Sequence, residues 1–574
     1  MRTRLLVAAF VAVLTLAGCA GIPSSGDVQS GKGRSVVVDS LVPVAPVPGA
    51  SDEPVTLTDN FIQACAAGVS STFAPAQAYL TADAQRVWDP EVKVTVFGSG
   101  DFTPVWDERA RTVTYSLPVI ATVDGSGIFT EVDPGVPQDI VFAMSEDTTG
   151  RWRISGIESG IVLAEAHFDA LYRAVPLSFA SMDSQFFVPD LRWFPRKSVA
   201  TFAAAALLEG PSPWLADGVK TGIPVTAGLS LPAVPITDGV ATVTLDSKAG
   251  GSSTERLLAR LQFEQTLARV PDVSSVTITI GGLPVDDDGS VRLSPAPIPE
   301  STAVAFVDGR LGAWTSGGLS VVPATIGALP AGATAPALAY DATTVAFLVG
   351  ASELVGTDAL GRGTIPLVTS TVASEGVMEV SSLYSGVDLV APSFDWYGLV
   401  WTAERDGEGA LIAVAPDVGS VTIPAAWLHG REIAAVRISH DGARVAVLSR
   451  DGGVWRLDVA ALIRGDDGIP RSVGEPLSVG LGVGPARHLV WVDDLSLAVL
   501  ADGAEGSTPS LGVSVVGGGT TVLSAAADAV ELAARNGTAS IAVVTREGEI
   551  FQRSNSGWSR VPVEGFVHGL AFSG

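Results

Sequence analysis

The sequence predicts a multidomain, mainly β protein: an N-terminal α+β domain, a second α+β domain, and a C-terminal all-β propeller of about six blades. Three observations carry this prediction. Residues 55–166 read as helices followed by strands, and residues 167–299 alternate helix and strand. From Ser301 onward one strand-turn-strand unit recurs every ~40 to 55 residues, the spacing of propeller blades.

The first element is not part of any of these domains. Met1-Arg2-Thr3-Arg4 is a short basic head, and the apolar run from Leu5 to Leu16 is too short to span a bilayer but suits a signal-peptide core. It ends in Leu16-Ala17-Gly18-Cys19, which resembles a bacterial lipobox. That resemblance implies a diacylglyceryl group on the Cys19 sulfur, cleavage after Gly18, and an N-palmitoyl, S-diacylglycerol cysteine as the new N-terminus. Two acyl chains suffice as an anchor, since each buried methylene contributes ~0.8 kcal/mol. An ordinary signal peptide with a chance cysteine is the alternative.

The chain has 574 residues and a formal net charge of −26, near −28 once Arg2 and Arg4 leave with the signal. Such a field repels nucleic acid and anionic head groups, so nucleic-acid binding is disfavoured. No later apolar run approaches transmembrane length. With two cysteines and Cys19 lipidated, Cys65 has no disulfide partner in the chain, and it reads as a small buried hydrophobe. The 63 glycines and 36 prolines suit many short strands joined by turns.

Residues 19–54 are rich in Gly, Ser and Pro and end in Val42-Pro43-Val44-Ala45-Pro46-Val47-Pro48-Gly49. They read as a flexible tether, although part of the segment could pack as an edge strand. Thr58 or Asp59 is placed to cap a helix carrying Phe61, Ile62 and Cys65, and a second helix is expected over Ala76–Trp88, before Pro90. Strands are expected at Lys93–Phe97, Thr112–Thr122, Ile140–Ser145 and Arg151–Ile157. Helices on one face of an antiparallel sheet, in this order, are similar to the nuclear-transport-factor-2-like (NTF2-like) fold.

In the next segment Ser198 precedes Val199, Phe202, Ala203, Ala206 and Leu207, one helical face stopped by Gly210-Pro211. After a strand at Val240–Leu245, Ser252-Ser253-Thr254-Glu255 has capping-box spacing and opens a helix that ends near Pro271. A last strand alternates Val276, Ile278 and Ile280 with Thr277 and Thr279. Asp286-Asp287-Asp288-Gly289 reads as a solvated hairpin turn between Val285 and Val291, because the remaining ligands of a calcium loop are missing. The segment resembles the GerMN domain through Leu208-Glu209-Gly210-Pro211, Thr221-Gly222-Ile223-Pro224, Gly239-Val240-Ala241-Thr242-Val243 and Thr266-Leu267. That family carries no established catalytic residues, so the likeness implies a fold and a binding role.

The propeller repeats are Leu338–Val349, Ser393–Thr402, Arg437–Ser449, Val490–Leu500 and Ala533–Thr545. The clearest runs Ile438-Ser439-His440-Asp441-Gly442-Ala443-Arg444-Val445, strand, Asp-Gly turn, strand. Ala303–Leu311 matches the later Ile541–Ile550, so the first blade lacks its innermost strand; Gly569–Ser573 is the orphan that would complete it and close the ring. Six blades follow, with five or seven also compatible with the repeats.

No serine elbow, Ser-x-x-Lys, His-Glu-x-x-His or phosphate loop occurs. His167, His429, His440, His488 and His568 are scattered without metal-ligand spacing, so neither a metal nor another cofactor is expected, and no catalytic residue is assigned. Carboxylates could still converge on the channel, with Asp395, Glu404 and Asp493 as candidates. Trp314, Trp396, Trp401, Trp427, Trp455, Trp491 and Trp558 could offer stacking faces, although most suit blade cores.

In order, the segments are a signal (1–18), tether (19–54), NTF2-like domain (55–166), GerMN-like domain (167–299) and propeller (300–574). That order resembles the LpqB family of actinobacterial lipoproteins over essentially the whole chain. The resemblance implies a non-enzymatic protein, lipid-anchored on the extracytoplasmic face of the cell membrane. It further implies that the protein binds the extracytoplasmic region of the MtrB sensor histidine kinase of the MtrAB two-component system, modulating envelope homeostasis and division. The rival reading is a propeller that binds or hydrolyses cell-wall glycan, which requires convergent carboxylates or stacked aromatics in the channel.

Overall fold

The helix Pro54–Val69 begins where proline dictates: Glu53 is extended and Pro54 occupies the first turn, where its missing N–H costs nothing. Thr58 and Asp59, expected as caps, lie inside this helix. Thr58 is buried, with its hydroxyl 2.9 Å from that of Tyr115, which in turn donates to Asp59 at 2.6 Å. They tie the helix to the sheet instead of starting it. The computed structural model describes residues 45–49, 52–100, 102–133, 135–315, 318–321, 328–358, 380–415, 419–465, 468–480, 484–502, 508–554 and 557–574. Leu16, Ala17, Gly18 and Cys19 lie outside the described residues.

The helix expected over Ala76–Trp88 is two, Ala74–Gln77 and Ala82–Val87, because Thr81 caps the second through the Ala84 N–H at 3.2 Å. The strand expected over Thr112–Thr122 is likewise divided. Pro118, which lacks an N–H, separates Thr112–Leu117 from Val119–Asp124, and the two join different sheets. One sheet orders Phe129–Glu131, Val119–Asp124, Lys93–Phe97 and Ile161–Ala164; the other orders Val105–Asp107, Thr112–Leu117, Gln138–Glu146 and Trp152–Gly156. Their shared core includes Phe61, Trp88, Tyr115 and Phe142, and Cys65 is fully buried within it.

A long antiparallel pair, Tyr172–Ser181 with Phe187–Pro195, opens the second α+β domain and was not read from the sequence. The helix Val199–Glu209 packs Val199, Ala203, Ala206 and Leu207 inward. Phe202, expected on that face, is 39% exposed and stacks on Phe194 with centroids 6.3 Å apart. The capping box of helix Ser253–Leu267 is complete: the Ser252 N–H donates to Glu255 Oε2 at 2.7 Å and the Glu255 N–H to Ser252 Oγ at 3.2 Å. This helix connects the parallel strands Val240–Leu245 and Ser275–Ile280. Asp286–Gly289 forms an exposed bend held by its own side chains rather than a hairpin, since the preceding short strand ends at Pro284.

Six antiparallel sheets form the blades among the described residues. Their innermost strands are Val567–Ala571 (blade 1), Ala333–Leu338 (blade 2), Ser393–Phe394 (blade 3), Glu432–Ile438 (blade 4), Ala486–Trp491 (blade 5) and Ala529–Ala533 (blade 6). The ring closes as the sequence predicts, with Val304 opposite Ala571 and Ala305 opposite Leu570. Last and first strands thus share a sheet, which pairs the otherwise open inner edge of Ala303–Val307. Apolar residues fill the space between blades: Trp401, Leu411, Val436 and Val447 form one such layer.

Residues 43–574 constitute one compact unit. Trp193 donates its indole N–H to the Gly517 carbonyl at 2.9 Å, Tyr397 its hydroxyl to Asp183 at 2.8 Å, and the Thr520 N–H binds Glu131 at 3.0 Å. Backbones meet closely here. A Cβ on Gly218 would lie 2.8 Å from that of Ala461, and one on Gly517 would lie 2.9 Å from the Leu191 carbonyl, so both positions require glycine. No described helix is long and apolar enough to cross a membrane.

Candidate functional site: the propeller channel

The innermost strands surround a cavity of about 310 Å³ on the channel axis. The inner strands pack on the neighbouring blades on both faces, as Val436 and Ile438 do on one side and Ala434 and Ala435 on the other, and their inner edge borders the channel. Arg437 sits in Ala434-Ala435-Val436-Arg437-Ile438 and Glu531 in Ala529-Val530-Glu531-Leu532-Ala533, and both line the cavity. His488, His568 and His440 line it too, so three histidines far apart in sequence share one space.

Arg437 Nη1 donates to two backbone carbonyls, Ala391 at 3.1 Å and Val436 at 2.8 Å, while the Arg437 carbonyl accepts from the Trp491 indole at 3.3 Å. Burial lowers the Arg437 guanidinium to about 10. Burial likewise lowers His488 to about 4, reinforced by the neighbouring charges of Arg437 and Arg487, so its imidazole is neutral at physiological pH. Desolvation pushes Glu531 up to about 7. His440 is also lowered to about 4, chiefly by burial, and packs edge-on to Tyr340 at 6.3 Å. It is a buried turn residue held neutral.

The three carboxylates considered from sequence do not meet in the channel. Asp395 is buried and accepts from Arg464 at 2.8 Å, the Trp401 indole at 3.0 Å and the Leu399 N–H at 2.9 Å. Glu404 accepts the Val387 N–H at 2.8 Å, and Asp493 caps a turn through the N–H groups of Leu495 and Ser496. Each has a local structural task. Among the described lining residues Glu531 is the one acidic side chain, so the paired carboxylates of glycoside hydrolysis are not assembled. Of the tryptophans, Trp314 and Trp401 fill blade cores, Trp491 is buried and borders the cavity, and Trp396 is 38% exposed against Phe186. Among the described residues no three His, Cys, Asp or Glu side chains gather as a metal site.

Sequence reasoning missed Arg437, His488 and Glu531 as a group. A signal existed: each is a polar interruption of a short β-prone run, which only the assembled ring turns toward one axis.

Two α+β domains locked to a six-bladed propeller define a multidomain propeller protein. Three family models match in the same order: "Lipoprotein LpqB, N-terminal domain" over residues 45–169, "Sporulation and spore germination" (Germane) over 176–286, and "Lipoprotein LpqB beta-propeller domain" over 309–566. Lipoprotein LpqB of Thermobifida fusca is 27% identical, with 89% of each chain covered. That of Cutibacterium acnes is 27% identical with 94% of each covered, and that of Mycolicibacterium smegmatis 25% identical with 78% of each covered. The chain belongs to the LpqB lipoprotein family.

Proposed function

We propose that this protein is a non-enzymatic accessory of a sensor histidine kinase, MtrB of the MtrAB system. It binds the kinase's extracytoplasmic region and modulates signalling in envelope homeostasis and cell division. The observation that carries this reading is the lipobox-like Leu16-Ala17-Gly18-Cys19 placed ahead of a body with the LpqB domain order. Cys19, as an N-palmitoyl and S-diacylglycerol cysteine, holds the protein on the extracytoplasmic face. The segments are the signal (1–18), tether (19–54), α+β domain (55–166), GerMN-like domain (167–299) and propeller (300–574).

The physical support is effective concentration. A partner held to the same membrane surface as the kinase meets it far more often than a free protein would, without any added contact. Biasing the kinase requires different affinity for its two signalling states. A formal charge of −26 disfavours nucleic acid, and the single carboxylate among the described lining residues of the channel disfavours glycan hydrolysis, so both favour a protein partner.

Photo-crosslinking from the propeller and from the GerMN-like domain in living cells, followed by mass spectrometry, tests the reading. The expected product is a covalent complex with the kinase that disappears in the C19A variant. Glycan fragments, or no reproducible partner from either domain, overturn it.

A further inference from the structure

Among the described residues the buried arginines Arg192, Arg444 and Arg464, and half-buried Arg431, each face a carboxylate, whereas half-buried Arg437 on the channel wall faces none. Arg192 pairs with Asp190 at 2.9 Å, Arg431 with Asp458 at 2.8 Å, and Arg464 with Asp395 at 2.8 Å; Arg444 pairs with Asp441. A guanidinium removed from water needs such a counter-charge, because desolvation otherwise goes uncompensated. Arg437, on the channel wall, has backbone carbonyls as its partners and no carboxylate in ion-pair range among the described residues. Its neighbour His488 lies within the field of two guanidinium charges, Arg437 and Arg487. In a chain of net charge −26 this is a local excess of positive charge facing an enclosed space.

A second observation points the same way. Ser573 Oγ belongs to a cavity-lining residue only 4% exposed, and it has no hydrogen-bond partner. Buried hydroxyls are normally satisfied, so an orphan on a cavity wall marks a donor awaiting an acceptor. Pro336, Pro392 and Leu570 supply apolar wall to the same cavity.

We propose that the propeller channel binds a small organic anion, its carboxylate or phosphate group held by the Arg437 guanidinium beside His488, and its apolar remainder packed on Pro336, Pro392 and Leu570. Arginine's planar fork matches both oxyanions bidentately, and the low-dielectric wall strengthens the pairing. Glu531, raised to about 7 by burial, is largely protonated about one pH unit below that value, so the titrations are run at about pH 6, where it does not compete as a counter-ion.

Calorimetric titration of the full-length protein in detergent tests it, using benzoate and phenyl phosphate as probes, with benzamide as the uncharged counterpart and inorganic phosphate as the head group alone. Benzoate and phenyl phosphate are expected to bind one to one, benzamide and inorganic phosphate at least about tenfold more weakly. The R437Q variant should lose about tenfold or more in affinity for both anions, and T334W should block the space while leaving every charge in place. Equal affinity for benzoate and benzamide, inorganic phosphate binding as tightly as phenyl phosphate, unchanged binding in R437Q or T334W, or no anion binding at about 10 mM overturns the proposal. The benzoate–benzamide comparison needs only the unmodified protein, so a folding defect in R437Q leaves the test intact.

Discussion

Replacing Asp395 by alanine tests whether this carboxylate, a channel candidate on sequence grounds, is instead a strut between blades. Its side chain is fully buried and that of Arg464 is 4% exposed, and the Arg464 guanidinium also lies 4.4 Å from the centroid of Tyr397. Asp395→Ala removes the acceptor for Arg464, for the Trp401 indole and for the Leu399 N–H. Removing one partner of such a buried pair strands the other charge, at a cost of about 3–5 kcal/mol. With a urea dependence of about 2 kcal/mol per molar, the unfolding midpoint reported by tryptophan fluorescence should fall by roughly 2 M. Adding Arg464→Met removes the stranded charge, so the double variant should regain at least about 1 kcal/mol relative to D395A alone. A loss below about 1 kcal/mol in D395A, or single effects that simply add, would refute the reasoning.

Deleting Val567–Gly574 removes the strand that closes blade 1, along with buried Val567, Leu570 and Phe572. Hydrogen exchange at Ala303–Val307 should become fast, and unchanged protection would contradict closure by this strand. For Glu531 the folded value lies near 7 against an ordinary 4.5, so its contribution is present below about pH 4.5 and is lost as pH rises through 7. E531Q should therefore be more stable than the parent at pH 8 and no more stable at pH 4, as read by denaturant titration at each pH. Burial pushes the Cys65 thiol far up, so iodoacetamide should leave it unmodified in the native protein and label it only after denaturation. Native-state labelling at the unfolded rate would mean that the N-terminal core is open.

Elements whose signal is local were legible in the sequence. The capping box at Ser252 and Glu255, the Asp-Gly turn at Asp441-Gly442, and the alternation of Val276, Ile278 and Ile280 each follow from neighbours within a few residues. Ring closure was legible for a different reason: a repeat short of one strand at one end and a surplus strand at the other can only be reconciled by pairing them. The misses depended on distant partners. Thr58 looks like a cap until Tyr115, 57 residues away, takes its hydroxyl. Phe202 fits a buried helical stripe, but the facing surface, provided by Phe194, leaves it at the rim. The channel group was hidden most completely, because Arg437, His488 and Glu531 come from three blades and share no local pattern.

The way the domains join constrains how the body can act on a partner. Cross-domain contacts are backbone-close: Gly517 beneath Leu191, Gly218 against Ala461, and side chains such as Trp193 donating directly to a main-chain carbonyl. Ala443 and Ala461 of the propeller belong to the same apolar cluster as Leu215, Phe263 and Leu267 of the preceding domain. Opening a hinge there would expose that cluster and leave hydrogen bonds unmade, a cost of several kcal/mol that no exposed loop contact offsets. The body therefore presents its surfaces as one piece. Influence on a partner must come from different affinity of a fixed surface for the partner's alternative states, and influence of a channel ligand must act through the inner strands that line it. Those strands run from the cavity to turns such as Ser439–Arg444, where buried Asp441 and Arg444 lie beside Ala443 and the GerMN-like domain. This gives the channel a continuous packed connection to that domain.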